Sequence, residues 1–285
     1  MIYDIFEDVF GVSIAGSEET GYYIILLTTN DSLYMSPIIR HFNVDREDII
    51  FMVTAPFELR HRKRPLEMGC SVSHRLNNLK GTLGALVKGL GDNQTYVLSN
   101  HHILYNSMDK DDNFIVQPSA LDGGTANDAI GLYHQSLPFD HSSVNEHDAA
   151  IAGPVSVEVN WEIPGMNNHV SGITNAINNH GVYKIGAMTG MTYGTIASFL
   201  TDVQVRIDGE IYDFANQIFI KGFDKDSGEL RPFSHPGDSG SLIIDYNTHK
   251  AVGLLFAGNN SGDTLANPIG PVLTKLNIGF QVPEK

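Results

Sequence analysis

Short apolar or β-branched runs, punctuated by Gly, Asn and Asp, recur along most of this chain. They include Gly84–Val87, Thr95–Leu98, Phe114–Gln117, Ala149–Ala152, Gly194–Ser198, Val203–Ile207, Ile218–Lys221, Ser241–Ile244 and Ala251–Phe256. Each is too short to bury the face of a helix, and the turn residues around it bound it as a strand. Many short, closely spaced strands must protect their edges, which they do by forming sandwiches or barrels. Periodicity does not choose between those two. Helical patterning is scarce: Thr264–Leu276, interrupted by Pro268 and Pro271, predicts one short helix near the C-terminus.

Residues 1–65 read differently. Phe10–Ile14, Tyr22–Thr28 and Ile49–Val53 predict three strands, with Ser36–Phe42 as a helix before the third. The segment closes in Arg60-His-Arg-Lys-Arg64, a cluster that reads as a solvated linker face. A small α+β extension is expected. A second change of composition, Pro164–Asn179, is rich in Asn and Gly and predicts an interdomain connection.

Charge narrows the partners. The 18 Lys and Arg oppose 33 Asp and Glu, and the formal net charge of −15 repels nucleic acid and anionic lipid. The apolar stretches Tyr22–Leu27 and Ala251–Ala257 are far too short to span a bilayer. The first twenty residues carry Asp4, Glu7 and Asp8 without a basic n-region, so no secretory signal is expected. Cys70 is the single cysteine, which rules out an intrachain disulfide. These features predict a cytoplasmic protein. No grouping of His, Cys and Asp has a recognisable ligand spacing, so neither a metal nor a cofactor is implied.

Chemistry concentrates in Phe233-Ser-His-Pro-Gly-Asp-Ser-Gly-Ser-Leu242, a polar turn running into an apolar strand. Gly237-Asp238-Ser239-Gly240 suits a serine nucleophile whose own turn also binds an oxyanion. Gly237 frees the backbone so that its N–H and that of Ser239 can face one point. Asp238 can turn inward to pin the loop, while Gly240 leaves room for substrate. The same four residues also make an ordinary turn, so the rest of the chain decides. A serine hydroxyl needs a base to take its proton and a third group to orient that base. Tyr96–Leu104 reads as a strand ending in His101 and His102; neighbours on a strand face opposite ways, so only one can serve. Asp148 leads into the apolar run Ala149–Ala152, where a buried carboxylate can accept from an imidazole. Asp122 and Asp128 compete for that role but sit in a Gly-rich turn and read as loop caps. The order His, Asp, Ser is that of the chymotrypsin type, not of subtilisins or α/β-hydrolases.

Leu98-Ser-Asn-His-His-Ile-Leu104 resembles the strand-end histidine motif of trypsin-like serine peptidases, and the match assigns the catalytic histidine to His102. Asp148-Ala-Ala-Ile-Ala resembles that family's Asp-Ala-Ala-hydrophobic segment. Tyr183-Lys-Ile-Gly-Ala-Met-Thr-Gly-Met-Thr-Tyr-Gly194 resembles the strand pair that opens its second barrel. With Gly253–Gly258 and Ala266-Asn-Pro-Ile269, the similarity covers roughly residues 66–280. Arg64-Pro65, Met68-Gly69, Gly81-Thr-Leu-Gly84, Gln117-Pro118 and Asp122-Gly-Gly124 also resemble the intracellular subgroup related to plant Narrow Leaf 1.

The resemblance implies an all-β catalytic unit of two six-stranded antiparallel β-barrels behind the α+β extension. The expected division is 1–65 for the extension, 66–165 and 181–285 for the barrels, and 166–180 for their connection. A serine endopeptidase follows, acting on polypeptide substrates in limited regulatory proteolysis. His102, Asp148 and Ser239 would form its triad, and the Gly237 and Ser239 amides its oxyanion hole. Lys184 matches a basic residue that pairs with the position of Asp238 in some bacterial relatives; otherwise it is an exposed strand residue. Phe233, Leu255, Phe256, Ala257 and Gly258 would line an apolar specificity pocket for an uncharged side chain. The subgroup further implies a homo-oligomer. The alternatives are an inactive barrel pair serving as a binding or scaffold module, and an esterase. Gly237-Asp-Ser-Gly-Ser241 lacks the second Gly of an esterase nucleophile elbow.

Overall fold

The computed structural model describes residues 9–17, 21–28, 45, 47, 49–53, 62–107, 112–207 and 209–281. The chain divides into two compact units, Met1–Leu59 and Arg60–Lys285. In the first unit, β1 (Val9–Ser17) and β2 (Gly21–Thr28) pair antiparallel, and β3 (Ile49–Val53) runs parallel to β2. Leu26, Thr28 and Ile49 are buried, whereas Ile14 and Tyr22 are exposed. The helix expected at Ser36–Phe42 lies outside the described residues.

The second unit holds two curled antiparallel sheets. The first contains β4 (Ser71–His74), β5 (Gly81–Thr82), β6 (Ala85–Gly89), β7 (Thr95–Ser99), β8 (Phe114–Val116), β9 (Ala129–Leu137) and β10 (Ala149–Ala152). The C-terminal strand β17 (Ile278–Gly279) joins its edge, giving the order β17-β6-β7-β10-β9-β8-β4-β5. β5 and β6 stand near opposite edges of that order, yet only Leu83 and Gly84 separate them in the chain. The sheet therefore curls back on itself into a barrel that closes nearly completely. The second sheet closes fully: β11 (Gly181–Gly186), β12 (Gly190–Ile207), β13 (Glu210–Phe223), β16 (Thr264–Pro268), β15 (Ala251–Gly258) and β14 (Leu242–Asp245), in ring order.

Burial explains where the strand pattern was strong. β10 and β14 are buried along their whole length, and apart from Asp245 at the end of β14 both are continuous apolar runs in the sequence. β9 is different, because only Ile130 of its residues is fully enclosed, and it carried no comparable signal. The two strands expected at Gly194–Ser198 and Val203–Ile207 are one strand, β12. Register shifts between Ile196 and Val203 break its alternation, which is why the sequence reads it as two pieces. The C-terminal expectation is also corrected: Thr264–Pro268 is strand, and the helix is α2 (Ile269–Leu276), here numbered after a short turn, α1 (His101–Leu104). Ile269, Val272, Leu273 and Leu276 recur at helical spacing and form the buried face of α2. Asn277 closes it in the left-handed region at φ 53°.

The described part of the basic cluster is not uniformly solvated. Arg62 and Lys63 are exposed, but Arg64 is partly buried and donates to Gln117 Oε1. Among the described residues no helix is long and apolar enough to cross a membrane.

Candidate active site

The two histidines do not end a strand. β7 stops at Ser99, and His101–Leu104 form a single helical turn, α1. Asn100, the residue before it, does not cap the turn with its side chain; its amide Nδ2 donates to Asp148 O at 2.7 Å. On a helical turn adjacent side chains splay by about 100° rather than alternating between faces. His101 and His102 accordingly meet different partners. His101 stacks on Tyr105 at 4.8 Å between ring centroids, and its Nδ1 lies 2.9 Å from Ser136 Oγ. Burial pushes the His101 pKa below its ordinary value.

His102 turns toward Asp148, whose carboxylate is fully buried. The His102 backbone N–H donates to Asp148 Oδ1 at 3.2 Å, and its Nδ1 donates to Oδ2. When a carboxylate accepts from Nδ1 of a neutral imidazole, Nε2 is the ring nitrogen that carries the lone pair. The Asp148 backbone is gripped on both sides. Asn267 Oδ1, from β16, accepts the Asp148 N–H at 2.9 Å, and Asn100 holds the carbonyl. Asn267 Nδ2 also donates to Gln217 Oε1 at 2.7 Å, and Gln217 Nε2 donates to Glu146 O at 3.0 Å. Strands of the second barrel thus position an aspartate of the first.

Ser239 lies between two glycines with positive φ. Gly237 sits at 104°, and a Cβ there would make ordinary contacts with Lys80 Cδ and Met188 Cβ at 3.4 Å. Gly240 sits at 93°, and a Cβ there would collide with Ser99 Oγ and the Thr82 carbonyl. Gly240 therefore makes room for the first barrel, not for substrate as its sequence suggested. Thr82 N–H donates to Ser239 O at 2.7 Å, and Ser99 Oγ donates to Thr82 O at 2.7 Å. The Ser239 turn is thus fastened to β5 and to the end of β7, three residues before His102. Ser239 Oγ, partly exposed, donates to Phe256 O at 3.4 Å. Among the described residues neither the Gly237 nor the Ser239 amide has a protein acceptor.

Asp238 points inward, fully buried, with Lys184 Nζ 3.3 Å from its Oδ2. Met188 N and Thr189 N donate to Oδ1 at 2.9 and 3.1 Å. Thr189 Oγ1 and His235 N donate to Oδ2 at 2.7 and 3.0 Å. Burial works against the charged form, yet Lys184 and these donors outweigh it and hold the Asp238 carboxyl below its ordinary value. Burial also lowers the Lys184 pKa, an effect that Asp238 opposes. Gly186 permits this packing, since a Cβ there would collide with Asp238 Oδ1.

The residues expected to line a specificity pocket separate into two groups. Phe233 and Leu255 belong to the core of the second barrel with Val182, Ile218 and Ile243. Phe233 is fully enclosed, and Gly194 lets its ring approach β12, so it offers no wall to a solvent-facing pocket. Phe256 is buried against Phe214 at 4.8 Å, while Ala257 is partly exposed and Gly258 exposed. Sequence reasoning did not single out Thr82, Ser99, Thr189 or Asn267. All four lie inside motifs noted above, but only the fold brings them to the Ser239 turn and to Asp148.

No protein-family model matches the sequence, and no curated protein matches it. Similarity appears in three dimensions. Thermobifida fusca protease A matches with a TM-score of 0.53 and 18% identity, over 76% of this chain and 98% of its own. A Nocardiopsis protease matches at 0.52 and 19%, and Cellulomonas bogoriensis chymotrypsin at 0.51 and 19%, each with the same coverage. At such identities the likeness is one of fold: the second unit is a chymotrypsin-like double β-barrel.

Proposed function

We propose that the protein is a serine endopeptidase in which Ser239, His102 and Asp148 hydrolyse peptide bonds through an acyl-enzyme. The observation that carries this reading is Asp148, a fully buried carboxylate that accepts both the backbone and the Nδ1 hydrogens of His102. That arrangement leaves Nε2 as a base, on the same framework that fastens Ser239 through Thr82 and Ser99. The double-barrel likeness to bacterial proteases supports the same chemistry.

Ser239 Oγ attacks the scissile carbonyl while His102 Nε2 takes its proton. Asp148 holds the imidazole in the required tautomer and stabilises the imidazolium. The Gly237 and Ser239 amides receive the developing oxyanion, an interaction whose loss typically costs about 10²–10³ in kcat. His102 then delivers the proton to the leaving amine, and water releases the acyl group by the same path in reverse. Lys184 is a positioning residue, supplying the charge that holds Asp238 and the turn without a terminus freed by cleavage. An uncharged side chain precedes the cut bond, since Phe256, Ala257 and Gly258 offer it no charge. The substrate is a polypeptide met inside the cell, in keeping with the motifs shared with the Narrow Leaf 1 subgroup.

The test is Ser239→Ala beside wild type, with fluorophosphonate labelling and proteome-wide mapping of cut sites. Wild type is expected to label at Ser239 and to generate cuts that the variant does not. Undiminished hydrolysis by Ser239→Ala overturns the assignment, and an intact, folded wild type that neither labels nor cuts points to a binding module.

A further inference from the structure

We infer that Thr82 is a positioning residue for the oxyanion turn, acting through its side-chain hydroxyl. The inference rests on the reading of Ser239 as nucleophile. Thr82 is fully buried at the end of β5, a strand of the first barrel. Its backbone N–H reaches Ser239 O at 2.7 Å, a contact that any residue but proline could make. Its hydroxyl makes two further bonds that only Thr or Ser could make. Oγ1 donates to Gly237 O at 2.9 Å and accepts the Ala187 N–H at 2.9 Å.

Those bonds join the two segments on which the oxyanion amides depend. Gly237 is weakly held by its own conformation, because glycine at φ 104° has neighbouring wells of similar energy. Asp238 is fixed from within by Lys184, Thr189, Met188 and His235, but none of those bonds reaches the Gly237 carbonyl. Thr82 Oγ1 does. The peptide that follows Gly237 is thus held at both ends, by Thr82 Oγ1 at its carbonyl and by His235 O, which accepts the Asp238 N–H at 3.0 Å. The Thr82 bond is the one that ties it to the first barrel and limits the rotation by which Gly237 could turn its N–H away from Ser239. Ala187, on the other side of the hydroxyl, begins the turn whose Met188 and Thr189 amides hold Asp238. One hydroxyl therefore references the oxyanion turn to both its internal anchor and the first barrel. Hydrogen-bonded preorganisation of this kind acts on the transition state, where the oxyanion forms, more than on the bound substrate.

The experiment compares wild type, Thr82→Val and Thr82→Ser on a peptide substrate that wild type cleaves. Sites are counted by fluorophosphonate titration carried to completion, so that turnover is expressed per competent site. Thr82→Val is expected to lower kcat per titrated site by about 10-fold, less than the roughly 10²–10³ lost with a hole donor itself, with KM little changed. Its affinity for a peptide aldehyde, whose adduct carries the oxyanion, should fall in parallel. Thr82→Ser, which keeps the hydroxyl, should restore most of both. A merely structural role would reduce the number of titrated sites and leave turnover per site intact; that result overturns the inference. If Thr82→Val yields too few sites to assay, Thr82→Ala lacks the same hydroxyl and is read by the same criterion. Wild type that neither labels nor cleaves sinks the proposed function instead, so the two failures are distinct.

Discussion

Lys184 Nζ stands 3.3 Å from Asp238 Oδ2, and neither side chain is exposed to solvent. Removing one partner of a buried pair leaves an uncompensated charge, which typically costs about 3–5 kcal/mol. Lys184→Met should therefore destabilise the fold by an amount of that order and abolish fluorophosphonate labelling of Ser239. Adding Asp238→Asn should recover part of the stability, since the stranded charge is then gone, but not the labelling. Urea unfolding of the two single variants and the double variant measures the coupling. Additive losses would mean the pair contributes nothing beyond its separate members. The same pairing fixes an acid limit. The Asp238 carboxyl lies below its ordinary value of 3.8, so its contribution is complete above that pH and is lost as pH falls below it.

His147, next to Asp148, supplies a second pH dependence of opposite origin. It is 7% exposed, and burial, followed by the nearby Lys275 ammonium, lowers its pKa from 6.5 to about 4. Between those values the unfolded chain binds a proton at His147 that the folded chain does not. Stability therefore falls as pH drops from 6.5 to about 4, by about 3 kcal/mol in all, and this contribution levels off below. His147→Gln should flatten that part of the profile without altering stability trends above pH 7. Urea midpoints measured at several pH values in both proteins check this. Equal slopes would show that His147 is not the titrating group.

Gly237→Ala separates turnover from folding. The φ of 104° makes any side chain unfavourable, by about 1–2 kcal/mol, yet the nearest atoms to the new Cβ are 3.4 Å away. The fold should survive with a modest loss of Tm. Catalysis should fall by about 10²-fold, as when an oxyanion donor is displaced. A variant that keeps wild-type kcat while losing stability would remove Gly237 from the hole.

Much of this architecture was legible because continuous burial leaves continuous apolar runs. β10 and β14 are enclosed on both faces, and the apolar runs Ala149–Ala152 and Leu242–Ile244 stand out for that reason. β9, with one enclosed residue, and β12, with its bulges, show what pattern reading loses when a strand is half solvated or irregular. The Gly-Asp-Ser-Gly turn was visible as composition, but the reason for Gly240 was not. That reason is Ser99 and Thr82, remote in sequence and brought close by barrel packing. Phe233 lies in the core for a related cause: position before the Gly-Asp-Ser-Gly turn says nothing about whether a ring faces the cleft or the core. The side chains that hold Asp148 from outside are likewise set by fold, not by local pattern.

Asn267 is the most informative of them. Its Oδ1 accepts the Asp148 N–H at 2.9 Å, its Nδ2 donates to Gln217 Oε1 at 2.7 Å, and both amide side chains are fully buried. Asn267→Leu keeps the volume and removes these bonds together with a longer one from Nδ2 to Glu146 O at 3.4 Å, leaving the Asp148 N–H and Gln217 Oε1 buried without that partner. Each such group costs about 1–3 kcal/mol, so a loss of several kcal/mol is expected. The more specific expectation concerns catalysis. With its backbone released from β16, the Asp148 carboxylate should hold the His102 tautomer less well, lowering kcat per titrated site while KM stays near wild type. Asn267→Asp retains an acceptor for the Asp148 N–H but cannot donate to Gln217, so it should lose stability and keep more of its turnover than the leucine variant. Urea unfolding and site-titrated kinetics on the two variants test the ranking, and a leucine variant with full turnover per site would confine Asn267 to holding the barrels together.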